Sequence, residues 1–194
     1  MPPGTIHFVF GVAHTLTSGR NFFCGTTIAT TLKTRVFEHC HGLASTNAEY
    51  IHAELILGRM TMYCWLCLIH RQMDAPYPPD SVAALILMSL RPQCFEAQLV
   101  APSDVHNNTG KKVLNEAIKY RQQQRGHQFY QQRNAARGCA FDILEWMKQR
   151  AEQGQPFACS LKYHFDALSA WVVSKLEEAD LLDGASHLDL SDDD

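Results

Sequence analysis

Between Thr5 and Cys24 the apolar residues are β-branched or aromatic and come in short runs. Thr5-Ile6-His7-Phe8-Val9-Phe10 follows a Pro2-Pro3-Gly4 turn and reads as a strand. Gly11 breaks it. Thr15-Leu16-Thr17 and Asn21-Phe22-Phe23-Cys24 give a second extended stretch, with Ser18-Gly19 as a bend or bulge. Two strands alone are marginal in water, and their edges would want partners.

From about residue 29 the apolar period becomes helical. Thr46-x-x-Glu49 is a capping-box signature and opens a segment from Ala48 to Gln72. Its apolar residues, Tyr50 through Ile69, cover most of the circumference, which predicts a buried helix. Pro76, Pro78 and Pro79 form a break. Asp80 then caps a short apolar helix, Val82 to Leu90, which stops before Pro92. Residues 101–110 read as a loop, and Lys111 to Arg137 as a polar, Gln-rich, solvated helix. Gly138 to Ala151 reads as a separate helix with Phe141, Leu144 and Met147 at helical spacing, ended by Gly154 and Pro156. Ser160 starts the last helix, where Leu161, Phe165, Leu168, Val172, Leu176 and Ala179 form a stripe, with Gly184 as its stop. The pattern therefore predicts an α+β fold, mostly α. A short N-terminal β-hairpin occupies residues 1–28, a helical bundle residues 29–184, and an acidic, disordered tail residues 185–194.

Composition agrees with a globular chain. Of 194 residues 46% are apolar and 19% charged, enough for one sizeable core and too apolar for disorder throughout. The longest apolar run, Leu55 to Ile69, is too short to span a bilayer and contains Arg59. The N-terminus has neither the basic nor the apolar region of a signal peptide. Seven scattered cysteines fit a reducing, intracellular compartment better than a disulfide framework. The net charge of −3 is unevenly spread. Residues 111–150 hold nine Lys/Arg against three acids, while residues 165–194 hold nine acids against Lys175 alone. The two regions could attract each other or face different partners.

Four sets of residues could carry chemistry. His7 lies on one face of its strand, with Ile6 and Phe8 on the other; alone it would be an ordinary strand histidine. Cys64-Trp65-Leu66-Cys67 is a C-x-x-C with His70 on the same helical face, and with Cys40 a zinc site is imaginable. Buried inert thiols are the plainer reading in so apolar a helix. His52-x-Glu54, His164-x-Asp166 and His187-x-Asp189 are His-x-acid strings, but the first two fall in helices, where i and i+2 do not share a face. Lys111, Lys112, Lys119, Arg121, Arg125, Arg133 and Arg137 interleave with Tyr120, Phe129 and Tyr130, a pattern that nucleic-acid binders share. A solvated face, or pairing with the chain's own acidic C-terminus, is the plainer reading there.

Pro3-Gly4-Thr5-Ile6-His7-Phe8-Val9 is followed by Gly19-Arg20-Asn21-Phe22-Phe23, then by Thr27-Ile28 and Leu32-Lys33. Over about residues 2–38 this resembles the C-terminal part of a jumonji C (JmjC) domain. The likeness is to histone lysine demethylases of the F-box and plant-homeodomain-finger type and to their fungal relatives. The resemblance implies that the hairpin is the remnant of a double-stranded β-helix that binds Fe(II) and 2-oxoglutarate. It implies that His7 is the distal histidine of the iron facial triad. Asn21 would line the active site near the methylated substrate, and Ile6 and Phe8 would pack the barrel wall. An Ile-x-x-x-Leu helix start follows in the family, as Ile28 and Leu32 do here. The family's His-x-Asp/Glu pair and its 2-oxoglutarate-binding Thr and Lys lie upstream of the distal histidine, and six residues precede His7 here. Arg20 stands where the family keeps a second Gly, and Gly11-Val12 where Thr-Pro is common. The expectation is thus the C-terminal portion of a nuclear protein-lysine demethylase acting on a histone or another methyl-lysine protein, inactive as this chain alone. The alternative is a non-enzymatic helical module that binds protein or nucleic acid, without membrane association. Unpaired strand edges would favour self-association.

Overall fold

Ile28, Leu32 and Val36 recur every fourth residue and are all but sealed from solvent. That stripe holds the first helix, α1 (Ile28–His41), against the rest of the protein. The computed structural model describes residues 23–41, 52–92 and 126–179. Four more helices follow α1 among these residues: α2 (His52–Trp65), α3 (Pro79–Leu90), α4 (His127–Glu152) and α5 (Pro156–Glu178).

The α+β expectation is overturned. The described residues are 86% helical and contain no strand. The second extended stretch was to run through Phe23 and Cys24. Cys24 does have extended dihedrals (φ −98°, ψ 127°), but its carbonyl accepts bonds from the Thr27 amide at 3.0 Å and the Thr27 hydroxyl at 3.3 Å. These local bonds wind Gly25–Thr27 into one 3₁₀ turn that feeds α1. The remainder of the expected hairpin, with His7 and Asn21, lies outside the described residues, as do residues 185–194.

The middle layer is α3, which touches all four other helices. Val82 through Ile86, Met88 and Ser89 are all buried. Such a helix has no face left for water, so it must be surrounded. Pro79 starts it at the first helical position, where the missing N–H costs nothing, and Pro92 stops it by forcing Arg91 out of helical dihedrals (φ −132°, ψ 57°). Asp80 does not cap the helix; Pro78 holds that position, and Asp80 Oδ1 accepts a bond from the Ser81 amide at 2.7 Å.

In contrast to the buried helix expected over residues 48–72, α2 buries one face only. Leu57, Thr61, Cys64 and Leu68 point inward, while Ile56 and Tyr63 stand in solvent. Thr61 donates to the Leu57 carbonyl at 3.0 Å, so its hydroxyl oxygen accepts the Ser89 hydroxyl of α3 at 2.9 Å. This satisfied pair ties α2 to α3 inside the core. At its end α2 widens into a π-turn, Leu66–His70, closed by an Arg71 amide bond to the Leu66 carbonyl at 2.9 Å. Gly58 lets α2 approach α4, since a Cβ there would sit 3.1 Å from the Ala136 methyl.

The two helices expected on either side of Gly138 are one. From His127 to Glu152, α4 runs unbroken, with Ala136, Ala140, Ile143 and Met147 as its inward stripe. Gly138 lies on the exposed face with open space around it. A helical Gly costs about 0.5–1 kcal/mol relative to Ala, too little to break a helix packed along its length. Gly138→Ala is therefore expected to stabilise the protein by about that amount, read as a raised melting temperature. A lowered one would contradict this placement. The turn after α4 uses Gly154 at φ +75°, and Pro156 opens α5 at its first position, four residues before the expected start at Ser160. Of the stripe read from the sequence, Leu161, Leu168, Val172 and Leu176 are buried and Phe165 is half-buried, while Ala179 lies just past the helix end and is half-buried. No described helix is long and apolar enough to cross a membrane.

Candidate functional site

The C-x-x-C straddles the passage from α2 into the π-turn. Both thiols are buried, and burial together with the nearby Cys67 pushes the Cys64 thiol up to about 12. Such a thiol is neither a nucleophile nor a ready metal ligand at neutral pH. The other imagined zinc ligands face elsewhere. His70 is exposed, its ring 5.9 Å from that of Trp65, and Cys40 points from α1 to the Lys175 carbonyl of α5 at 3.8 Å. No group of three His, Cys, Asp or Glu among the described residues could hold a metal ion.

Thiol chemistry falls to other positions. Cys24 and Cys159 are exposed, and a hydrogen bond with Thr26 holds the Cys24 thiol below its usual value. With iodoacetamide at mildly alkaline pH, Cys24 is expected to be alkylated before the other described cysteines. Cys64 and Cys67 are expected to react only after denaturation, read by peptide mass spectrometry. Labelling of Cys64 in the folded protein would refute its sealed position.

Of the His-x-acid strings, the one on α5 does not assemble. Asp166 forms an ion pair with Lys162 at 2.6 Å on the exposed side of α5, and His164 packs edge-on against Tyr163. His187 and Asp189 lie outside the described residues.

The basic segment fares differently. Lys111 through Arg125 lie outside the described residues, and Arg133 and Arg137 stand on α4. Phe129 is buried, so it is unavailable to stack on a base; Tyr130 is half exposed and meets it edge-on at 5.5 Å. Arg133 and Arg137 open onto a cleft of about 310 Å³ lined also by Tyr130, Asn134 and the end of α3. Arg91, the residue that terminates α3, brings a third guanidinium to it. Arg137 lies 5.6 Å from the Phe141 ring centre, a contact that fixes the guanidinium on the helix face. A smaller cavity of about 30 Å³ adjoins it, lined by Arg35, Glu54 and the same Arg133. Arg91 had no signal in the sequence. It lies outside the basic run, and only the packing of α3 against α4 brings it there.

No protein-family model, no curated protein and no solved structure matches this chain significantly.

Proposed function

We propose that this chain is the C-terminal, helical portion of an Fe(II)/2-oxoglutarate-dependent oxygenase of the histone lysine demethylase type, without catalysis of its own. The supporting observation is the start of α1. The resemblance puts an Ile-x-x-x-Leu helix start at Ile28 and Leu32, and these two side chains are fully buried anchors of the helical core. The helices would then be the support that follows the oxygenase domain, with a methyl-lysine protein as substrate of the whole and the nucleus as its location.

The described residues do not complete an iron centre. A facial triad needs two histidines and a carboxylate. His7 lies outside the described residues, and no cluster within them supplies such a set. No step of iron chemistry is assigned to the helices.

Two assays test the reading. The purified chain with Fe(II), 2-oxoglutarate and a methyl-lysine peptide is expected to release no more succinate than its His7→Ala variant. Joined behind the His-x-Asp-bearing part of a JmjC demethylase, the chain is expected to restore succinate release, and His7→Ala to abolish it. A folded fusion that binds no iron and releases no succinate would overturn the reading. It would leave the non-enzymatic interaction module, which the arginine-lined cleft favours.

A further inference from the structure

Along α4, Tyr130, Asn134, Arg137 and Phe141 fall at i, i+4, i+7 and i+11, so they share one line of the helix surface. Both rings are half exposed, Tyr130 at 49% and Phe141 at 42%. At 1.5 Å per residue they stand about 16 Å apart, with Arg137 between them along the helix. The line therefore presents aromatic, amide, guanidinium and aromatic groups in turn.

The end of α3 adds Arg91 to the cleft that Tyr130, Asn134 and Arg137 line. Arg133 lines it too but is already engaged, and Arg91 and Arg137 carry the open charge. Among the described residues no carboxylate pairs with either of these two. Arg137 meets the Phe141 ring but no hydrogen-bond acceptor there, so its fork of N–H donors stays open to a phosphate. No acid among the described residues lines the cleft; Glu54 belongs to the adjoining cavity. From His127 to Phe141, α4 itself holds no acid. An anion that approaches this face meets attraction without a competing carboxylate.

We propose that this face binds single-stranded nucleic acid, with phosphates on Arg91 and Arg137 and bases on Tyr130 and Phe141. An acidic peptide would use the guanidiniums and leave the rings idle. A small phosphorylated molecule would fill the cleft and leave Phe141, which lies outside it, idle. An unpaired strand alternates charge with flat π-faces along its length, as this face alternates guanidiniums with rings. A duplex hides its base faces in its own stack, so the two rings select the single strand. Stacking accepts every base, and sequence preference is accordingly weak. The binding is independent of the oxygenase reading, whose support lies at Ile28 and Leu32.

The test follows the fluorescence anisotropy of a labelled, mixed-sequence DNA strand of about twelve nucleotides titrated with the full chain. Arg91→Gln with Arg137→Gln is expected to weaken binding about tenfold and to flatten the log–log salt slope by about 0.7 for each contact removed. Tyr130→Ala with Phe141→Ala is expected to weaken binding about tenfold and to leave that slope unchanged. Lys148→Gln with Arg150→Gln removes the same charge from exposed positions about 16 Å or more along α4 from Arg137. That control is expected to change binding less than about twofold. The duplex of the same sequence is expected to bind at least about fivefold more weakly than the strand. Circular dichroism melts serve as the folding control. On the unaltered protein, ultraviolet crosslinking read by peptide mass spectrometry is expected to join the strand at Tyr130 or Phe141. No binding by the unaltered chain at about 50 mM salt would overturn the proposal. So would cleft variants no weaker than the control, a duplex bound as tightly as the strand, or crosslinks confined to other residues. A glutamate-rich peptide of equal charge that displaces the strand as well as unlabelled strand does would overturn it in favour of an acidic protein partner.

Discussion

Leu85→Ala is expected to destabilise the protein by about 2–5 kcal/mol. Leu85 is 1% exposed and sits mid-way along α3, the helix that every other described helix covers. Removing its isobutyl group takes away the transfer free energy and leaves a cavity inside the packed core. Stabilities of small domains are about 5–15 kcal/mol, so this one change would consume a large share. Ile56→Ala on α2 is the comparison, because Ile56 is 40% exposed and water can fill the space it leaves; its cost is expected below about 1 kcal/mol. Urea unfolding measures both, as a shift in midpoint at constant slope. A loss at Leu85 no greater than that at Ile56 would refute the central placement of α3.

The same two helices show how far the fold was legible. The start of α3 was read three residues late, at Val82 behind an Asp80 cap, where Pro79 opens it instead; its end was readable because proline acts locally, and Pro92 stops the helix whatever surrounds it. Its centrality was not, because coverage depends on helices that arrive from far along the chain. A count of apolar residues in α2 suggested burial all round, yet Tyr63 and Ile56 remain in solvent while shorter α3 takes the middle. Apolar content reports what a helix could bury, and topology decides what it does. The extended reading at Phe23-Cys24 erred for a local reason. Aromatic and β-branched residues favour strands only where a neighbour pairs with them, and the Thr27 bonds to Cys24 turn the chain first. The arginine cleft was half legible. Arg133 and Arg137 share a helix face at i, i+4, which spacing alone shows. Arg91 joins them through the α3–α4 contact, which no local pattern encodes.

The second large effect separates two phases of α4. Apolar residues after Gly138 suggested a stripe through Phe141, Leu144 and Met147. The packed stripe instead passes through Ala136, Ala140, Ile143 and Met147, continuous across Gly138. Two of its members are alanines, whose methyls lend close approach rather than bulk. Hydropathy therefore gave the weight to the larger Phe141. That ring is 42% exposed and lies beneath the Arg137 guanidinium. Ile143→Ala is accordingly expected to cost about 2–5 kcal/mol, since its side chain is fully buried in the main core. Phe141→Ala removes more atoms but is expected to cost less than about 1 kcal/mol: part of the ring already faces water, and an exposed cation–π contact contributes about 0.5–1 kcal/mol at most. The order of the two losses is the measurement, taken from urea midpoints on the same day and buffer. Were Phe141→Ala the more damaging, Phe141 would face the core and α4 would have to rotate or break at Gly138, as the sequence pattern alone suggests.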